Sequence, residues 1–250
     1  MIVIISMNIR GLRANLKFLA LKDIFYSTRP KIILIQETMH SSHASISYFR
    51  KMFPSWYLVA SEARDLSGGL AALWNPQWIS AKAYKCFAGI VISAYIKGKG
   101  SLINILNTYV PYKNRVPFWE KFFASDLFDI ESLVIAGDLN VTLSSDECWV
   151  CCRKMDPLAD CIKFELLNKN LVDIAPSEMK PTWDNGRAEK AYISKRIDRF
   201  IVHVSIIDKM GMPFSTVGNA FVSDHRPIFL NWREKGYKKG YPFKFNKTCL

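Results

Sequence analysis

The stretch IVIISMNIRGLRANLKFLALKDIFYSTRPKIILIQET, residues 2 to 38, sets the fold class. Ile2 to Met7 is a short apolar run rich in β-branched residues and reads as a strand. Ala14 to Ser27 then carries Leu16, Leu19, Ala20, Ile24 and Phe25 at helical spacing. Arg29-Pro30 breaks that helix, and Lys31 to Gln36 is a second buried strand. The opening is therefore a β-α-β unit, and both strands end in polar residues, Asn8 and Glu37.

Downstream, apolar runs between Trp56 and Tyr109 alternate with Gly, Asn and Pro: WYLVA, GLAALW, ISAKAY, GIVISAYI and LINILNTY. They outline a β-meander, with Gly98-Lys99-Gly100 as a hairpin turn. A helix is predicted from about Arg115 to Ser125, with Pro117 in its first turn, followed by a buried strand over Leu133 to Val141. Asp156-Pro157 reads as an N-cap with Pro at the first helical position. That helix runs through Lys169 with Ile162, Leu166 and Leu167 on its apolar face. A Thr182-Trp183 turn, a strand over Arg196 to Val202 and a last strand over Pro227 to Trp232 complete the pattern. One domain is expected over residues 1–232, then a basic, aromatic, loosely held tail over 233–250.

The chain has 250 residues, half of them hydrophobic and 22% charged, enough apolar surface to order most of it. Its formal charge is +12, of which +5 comes from residues 231 to 250, so a polyanionic partner is expected. The longest apolar run, Cys86 to Ile96, is stopped by Lys85 and Lys97, too short to span a membrane. The N-terminus meets Asn8 and Arg10 before a signal-peptide core forms, so secretion is not expected. Six cysteines are too sparse for a disulfide scaffold in a chain this long and suit a reducing compartment. Cys148, Cys151 and Cys152 hold half of a thiolate zinc site, with Cys161 the only nearby fourth sulfur and placed on a helix face. Ordinary loop cysteines are the better reading. Four histidines leave a His-rich zinc hydrolase site hard to build, which favours Mg²⁺ chemistry.

Polar residues recur at strand ends: Asn8, Glu37, Tyr109 and the Asp138/Asn140 pair all sit at or just past the C-terminal end of an apolar run, which implies a common rim. Alternation along the strand sends Asp138 and Asn140 to one side and Leu139 to the core. Asp224-His225 precedes the last strand, where it would close the same cleft. Each feature has a plainer reading. Glu37 could cap a turn, G-D-x-N could be an Asx-turn, Tyr109 could be amphipathic packing, and Asp198 could pair with Arg196 or Arg199.

The stretches MNIRGL, IQET, NTYVPY, AGDLNV, KRIDRF and SDHRPI, in this order and spacing, resemble the endonuclease/exonuclease/phosphatase superfamily, which includes deoxyribonuclease I and the apurinic/apyrimidinic endonucleases. Within it, the likeness is to the endonuclease domain of plant non-LTR (LINE-type) retrotransposons, over about residues 1 to 232. The resemblance implies an α/β (α+β) fold. It is a four-layered sandwich, deoxyribonuclease I-like, with two mostly antiparallel sheets packed face to face and flanked by helices.

The resemblance also implies roles. Glu37, Asn8 and Asp224 would hold Mg²⁺, with Mn²⁺ as a substitute. Asp138 would orient or deprotonate water, Asn140 would hold water or a phosphate oxygen, and Tyr109 would stand near the phosphate or leaving oxygen. His225 would donate to the scissile phosphate with Asp224 fixing its tautomer, while Asp198 would bind metal or order His225. Thr182 and Ser223 would support the phosphate through their hydroxyls. The basic charge adds Arg10, Arg13, Lys113 and Arg115 as phosphate contacts.

The expected activity is Mg²⁺-dependent DNA endonuclease hydrolysis by in-line water attack, leaving 3′-hydroxyl and 5′-phosphate ends. The alternatives are an abasic-site or other phosphoesterase of the superfamily, and a DNA-binding remnant that has lost activity. DNA is the expected partner, with no membrane association. The parent reverse transcriptase is absent from this sequence, the tail resembling the segment that leads toward it. A monomer and a nuclear location are expected, the latter from the family role.

Overall fold

The computed structural model describes residues 1–12, 15–64, 67–149, 155–219 and 223–232. Arg13, Cys151, Cys152 and the tail 233–250 lie outside the described residues.

β1 (Ile2–Asn8) is buried at all 7 positions because alternate side chains enter two different cores. Ile2 and Ile4 join one apolar cluster, while Val3, Ile5 and Met7 join another. α1 (Asn15–Thr28) covers the second cluster with Leu21, Ile24 and Phe25. It returns the chain to β2 (Ile32–Gln36), which pairs with β1 in parallel, as a β-α-β opening requires. α2 (Ser42–Met52), a helix the sequence reading does not assign, then packs Phe49 and Met52 on the same cluster. The Ser41 hydroxyl caps it by accepting from the Ala44 N–H at 3.2 Å.

β3 (Tyr57–Arg64) and β4 (Ser67–Trp74) form a hairpin that joins β2. β5 (Ile79–Cys86), β6 (Gly89–Ile96) and β7 (Ser101–Tyr109) are successive antiparallel neighbours in a second sheet. The expected meander is thus divided, two strands to one sheet and three to the other. α3 (Arg115–Phe123) keeps Pro117 in its first turn. β8 (Leu133–Asp138) ends before Val141, because the chain turns through Asn140 at φ 49°.

β9 (Cys148–Trp149) carries a buried Cys148, and α4 (Ala159–Asn168) carries an exposed Cys161. α4 begins at Ala159 with Leu158 as its N-cap, later than expected; Asp156 instead accepts from the Leu158 N–H at 3.0 Å. Ile162 and Leu166 are buried, but Leu167 is 75% exposed. Five residues past Ile162 it faces well round the helix, so the expected apolar face loses it.

β10 (Leu171–Asp173), β11 (Trp183–Asp184), β12 (Ser194–Lys195), β13 (Asp198–His203), α5 (Val204–Met210), β14 (Phe214–Val217) and β15 (Ile228–Trp232) complete the chain. The turn expected at Thr182-Trp183 is partly strand, since Trp183 pairs with Lys195.

One six-stranded sheet has the order β14-β15-β1-β2-β4-β3 and the other β10-β13-β8-β7-β6-β5; a three-stranded sheet β11-β12-β9 lies apart. In the two large sheets only β1/β2 and β7/β8 are parallel. One apolar cluster draws residues from both large sheets and fills the space between them. The other two place α1 and α2 on the first sheet, and α3 and α4 on the second. The result is a four-layered α/β sandwich of the deoxyribonuclease I-like kind. No helix among the described residues is long and apolar enough to cross a membrane.

The centre of the second sheet admits no side chain at Gly137. Its φ is 145°, and a Cβ there would stand 1.9 Å from the Thr108 carbonyl oxygen. This close approach of β8 to β7 fixes the level of the next residue, Asp138, beside Tyr109.

Candidate active site

The ladders bring the polar strand ends together. Asp138 is the register partner of Tyr109 on one side and of Asp198 on the other. Asn8 ends β1 in the facing sheet, and its amide donates across the sandwich to Asp138 Oδ2 at 3.0 Å. Glu37 follows β2 directly and Arg10 follows β1 by two residues. Arg10, Glu37 and Asn140 have φ of 48°, 50° and 49°, a conformation uncommon outside glycine that concentrates at functional sites.

Asp138 is 2% exposed and richly held. Oδ1 accepts from the Asn140 N–H at 3.0 Å, and Oδ2 lies 3.7 Å from His225 Nε2. Asn140 thus closes an Asx-type turn, which brings it to the same cleft by a route other than strand alternation. The Asn140 amide donates to the Val110 carbonyl at 2.6 Å, and Leu139 is buried in the core as expected.

His225, 2% exposed, donates from Nδ1 to Asp198 Oδ2 at 2.9 Å. The residue that orients the imidazole is therefore Asp198 rather than the neighbouring Asp224. Asp198 is not engaged by Arg196 or Arg199, which pair with Glu147 and Asp173. Asp224 turns the other way, accepting from the Trp183 indole N–H at 3.0 Å and facing Arg10 Nη2 at 3.3 Å.

Burial opposes charge on His225, but Asp198 and then Asp138 outweigh it and hold the imidazole above its ordinary value. Burial, with Asp198 adding to it, raises Asp138, against the pull of the His225 charge and its hydrogen bonds from Asn140 and Asn8. Burial and then Glu37 push the Tyr109 phenol well above its usual range, so it stays protonated and able to donate. For Arg10 burial opposes the charge, and Asp224 and Glu37 more than restore it.

Two groups of side chains could hold a cation. Asp138, Asp198 and His225 offer ligand atoms within 4.8 Å of one another. That spot is already satisfied by the imidazole proton, so a metal there would have to displace it. Glu37 and Asp224 present carboxylate oxygens that already converge on one positive group, the Arg10 guanidinium, at 3.4 and 3.3 Å, while the Asn8 amide oxygen accepts from the Arg10 main-chain N–H at 3.1 Å. Hard oxygen donors around a spot that already holds positive charge fit Mg²⁺ or Mn²⁺.

A cleft of about 440 Å³ is lined by Arg10, Tyr109, Asp138, Asn140 and His225 together with Arg115, whereas Asn8, Glu37, Asp198 and Asp224 stand behind its lining. Arg115 is tied down: Nη1 donates to the Asn140 carbonyl at 2.7 Å, and the guanidinium grips Asp156 at 2.6 and 2.9 Å. Lys113 is exposed beside the cleft and does not line it. Thr182 is fully buried behind it; its Oγ1 accepts from the Ile197 and Asp198 N–H groups at 3.0 Å, so it positions Asp198 rather than a phosphate. Ser223 likewise serves the local turn, accepting from the His225 N–H at 3.2 Å and donating to Asp224 at 3.3 Å. Sequence reasoning missed Tyr112, Trp183, Ile193, Lys195 and Ile197 as cleft residues. Trp183 and Lys195 pair across a two-residue ladder too short to leave a periodic signal.

Residues 5–225 match the profile described as the Endonuclease/Exonuclease/phosphatase family. No curated protein matches the chain significantly by sequence. Among solved structures, the endonuclease domain of TRAS1, a telomere-specific non-LTR retrotransposon, is similar at TM-score 0.69 and 18% identity, over 94% of this chain and 100% of that one. An AP endonuclease from Archaeoglobus fulgidus gives 0.72 and 18%, over 93% and 99%. A 3′ phosphatase, NExo, from Neisseria bound to product DNA hairpin gives 0.67 and 18%, over 94% and 100%. At these identities the likeness is one of fold.

Proposed function

The chain belongs to the endonuclease/exonuclease/phosphatase family, hydrolases of phosphoester bonds, and on that premise we propose that it is a divalent-metal-dependent DNA endonuclease. The observation that carries this reading is the buried pair of His225 Nε2 and Asp138 Oδ2, 3.7 Å apart at the floor of the cleft, with Asp198 behind the imidazole. A carboxylate and a cationic imidazole aimed at one point suit a phosphate attacked by water.

In this reading Asp138 aligns the water and takes its proton as oxygen attacks phosphorus. The imidazolium of His225 donates a hydrogen bond to a non-bridging phosphate oxygen and opposes the charge that builds there. The bond to the 3′ oxygen breaks opposite the attacking water. Tyr109, kept protonated, is the donor to that leaving oxygen, so the ends are 3′-hydroxyl and 5′-phosphate. Asn140 holds the water or a phosphate oxygen. Glu37, Asp224 and Asn8 would hold Mg²⁺, or Mn²⁺ in its place, which when bound polarises a phosphate oxygen and neutralises developing charge.

The charge of +12 supports a nucleic-acid substrate, because Lys and Arg contacts to phosphates supply affinity independent of sequence. The role of the parent element would be to nick chromosomal DNA for reverse transcription in a plant LINE-type retrotransposon, in the nucleus. We place the catalytic domain at residues 1–232 and take it as a monomer. A second reading, cleavage at abasic sites, draws on the apolar wall of Trp183, Ile193 and Ile197, which would accept a sugar lacking its base.

The test is nicking of supercoiled plasmid by wild type and His225→Ala, each with Mg²⁺ and with EDTA. Nicking by wild type alone, with Mg²⁺ alone, is the expected result. Salt-sensitive DNA binding without nicking would instead mark an inactive remnant, and a 3′-phosphate end would refute the proposed polarity. Preferential turnover of an abasic oligonucleotide selects the second reading.

A further inference from the structure

Arg10 stands where the site calls for a cation. Its main-chain N–H is held by Asn8 Oδ1 at 3.1 Å, which aims the side chain across the rim. Nη1 then reaches Glu37 Oε2 at 3.4 Å and Nη2 reaches Asp224 Oδ2 at 3.3 Å. The two acids come from opposite ends of the sequence, one following β2 and the other preceding β15. Asp224 also has a neutral donor that fixes it, the Trp183 indole N–H at 3.0 Å.

The pairing is asymmetric. The Glu37 side chain is 2% exposed, whereas that of Arg10 is 47% exposed. Both contacts are longer than the roughly 2.7–2.9 Å of a tight charge-assisted bond. A buried carboxylate therefore faces a loosely held monovalent cation whose other side is open to solvent, the arrangement a divalent ion displaces most readily.

We propose that Arg10 and the divalent ion compete for the position between Glu37 and Asp224, so that metal entry releases Arg10 toward a substrate phosphate. This rests on the nuclease reading for the identity of the ion. It gives Arg10 two partners in turn: the two carboxylates in the resting protein and the phosphodiester in the loaded one. Arg10 thereby sets metal affinity as well as phosphate contact.

The test is Mn²⁺ titration of DNA-free protein, reading free ion by electron paramagnetic resonance, for wild type, Arg10→Gln, Arg10→Lys and Glu37→Gln. Removing the competing charge in Arg10→Gln should tighten Mn²⁺ binding about tenfold. Arg10→Lys keeps the charge but cannot bridge both acids, and should fall between the two. Glu37→Gln should lose the site. Circular-dichroism unfolding confirms that each variant is folded. Equal or weaker affinity in both Arg10 variants overturns the proposal, as does the absence of Mn²⁺ binding by wild type and Arg10→Gln alike. Plasmid nicking measured in parallel separates the two ideas. Nicking with unchanged Mn²⁺ affinity removes only the competition, and tighter binding without nicking by wild type removes only the nuclease reading.

Discussion

His225 donates from Nδ1 to Asp198 Oδ2 at 2.9 Å, and both residues are 2% exposed. The bond joins the turn before β15 to the first residue of β13, so the cleft imidazole is fixed from the second sheet. Asp198→Asn keeps an acceptor of the same shape and removes the charge that sustains the imidazolium. The expected outcome is a folded protein whose single-turnover nicking is slower by about 10²-fold or more. A wild-type rate in this variant would detach Asp198 from the chemistry.

Arg115 holds the Asn140 turn to Asp156 through three donated bonds. Arg115→Lys keeps the charge but cannot present a planar fork. It should cost about 1–2 kcal/mol in urea unfolding and slow nicking about tenfold, because the turn that carries Asn140 loses its anchor. If stability and rate both stay at wild-type values, the tie to Asp156 is idle.

What could be read from the sequence follows the range of the interactions involved. β1 and β2 are central strands covered on both faces, so their apolar runs are continuous and unmistakable. α2 leaves little trace, because SHASISYFRKM turns Ser45 as well as Phe49 and Met52 toward the core. The division of β4 and β5 between sheets has no local signature, since a strand's own pattern does not name its neighbour. The rim itself is legible because polar residues end apolar runs at Asn8, Glu37, Tyr109 and Asp138. Which acid serves His225 is not. Adjacent residues in extended chain point to opposite sides, and His225 bridges to Trp183, so Asp224 faces away and the partner arrives from β13.

Gly137→Ala should be the most damaging single-methyl change near the site. The added Cβ would lie 1.9 Å from the Thr108 carbonyl oxygen and 2.9 Å from its carbon, so relief requires β7 to part from β8. A loss of at least about 3 kcal/mol in chemical unfolding is expected, with the Tyr109–Asp138 register disturbed. Gly186→Ala is the control: its φ is also positive, at 62°, but nothing lies within 4 Å, and it should cost only about 1–2 kcal/mol. Equal losses would mean that backbone conformation, not the close approach, governs both.

Beneath the site, Arg196 and Arg199 share Glu147 and Asp173 in a network that also ties the Val141 carbonyl, just past Asn140, to Arg199. Burial alone would raise both acids, but the two guanidinium groups outweigh it and hold Glu147 and Asp173 below their ordinary values of 4.5 and 3.8. Depressed folded values mean that the unfolded chain binds protons first as pH falls. The contribution is therefore complete above about pH 5 and is lost as pH drops through the folded values. Urea unfolding of wild type should show stability falling steeply below about pH 4, whereas Asp138 and His225, both held above their ordinary values, add stability as pH drops from 7 to 5. Glu147→Gln leaves Arg199 buried beside a neutral group, so it should lose about 3–5 kcal/mol at pH 7 and show a shallower acid slope. Should the variant keep the wild-type slope, Glu147 is not the group whose protonation unfolds the network, and Asp173→Asn becomes the variant that must flatten it.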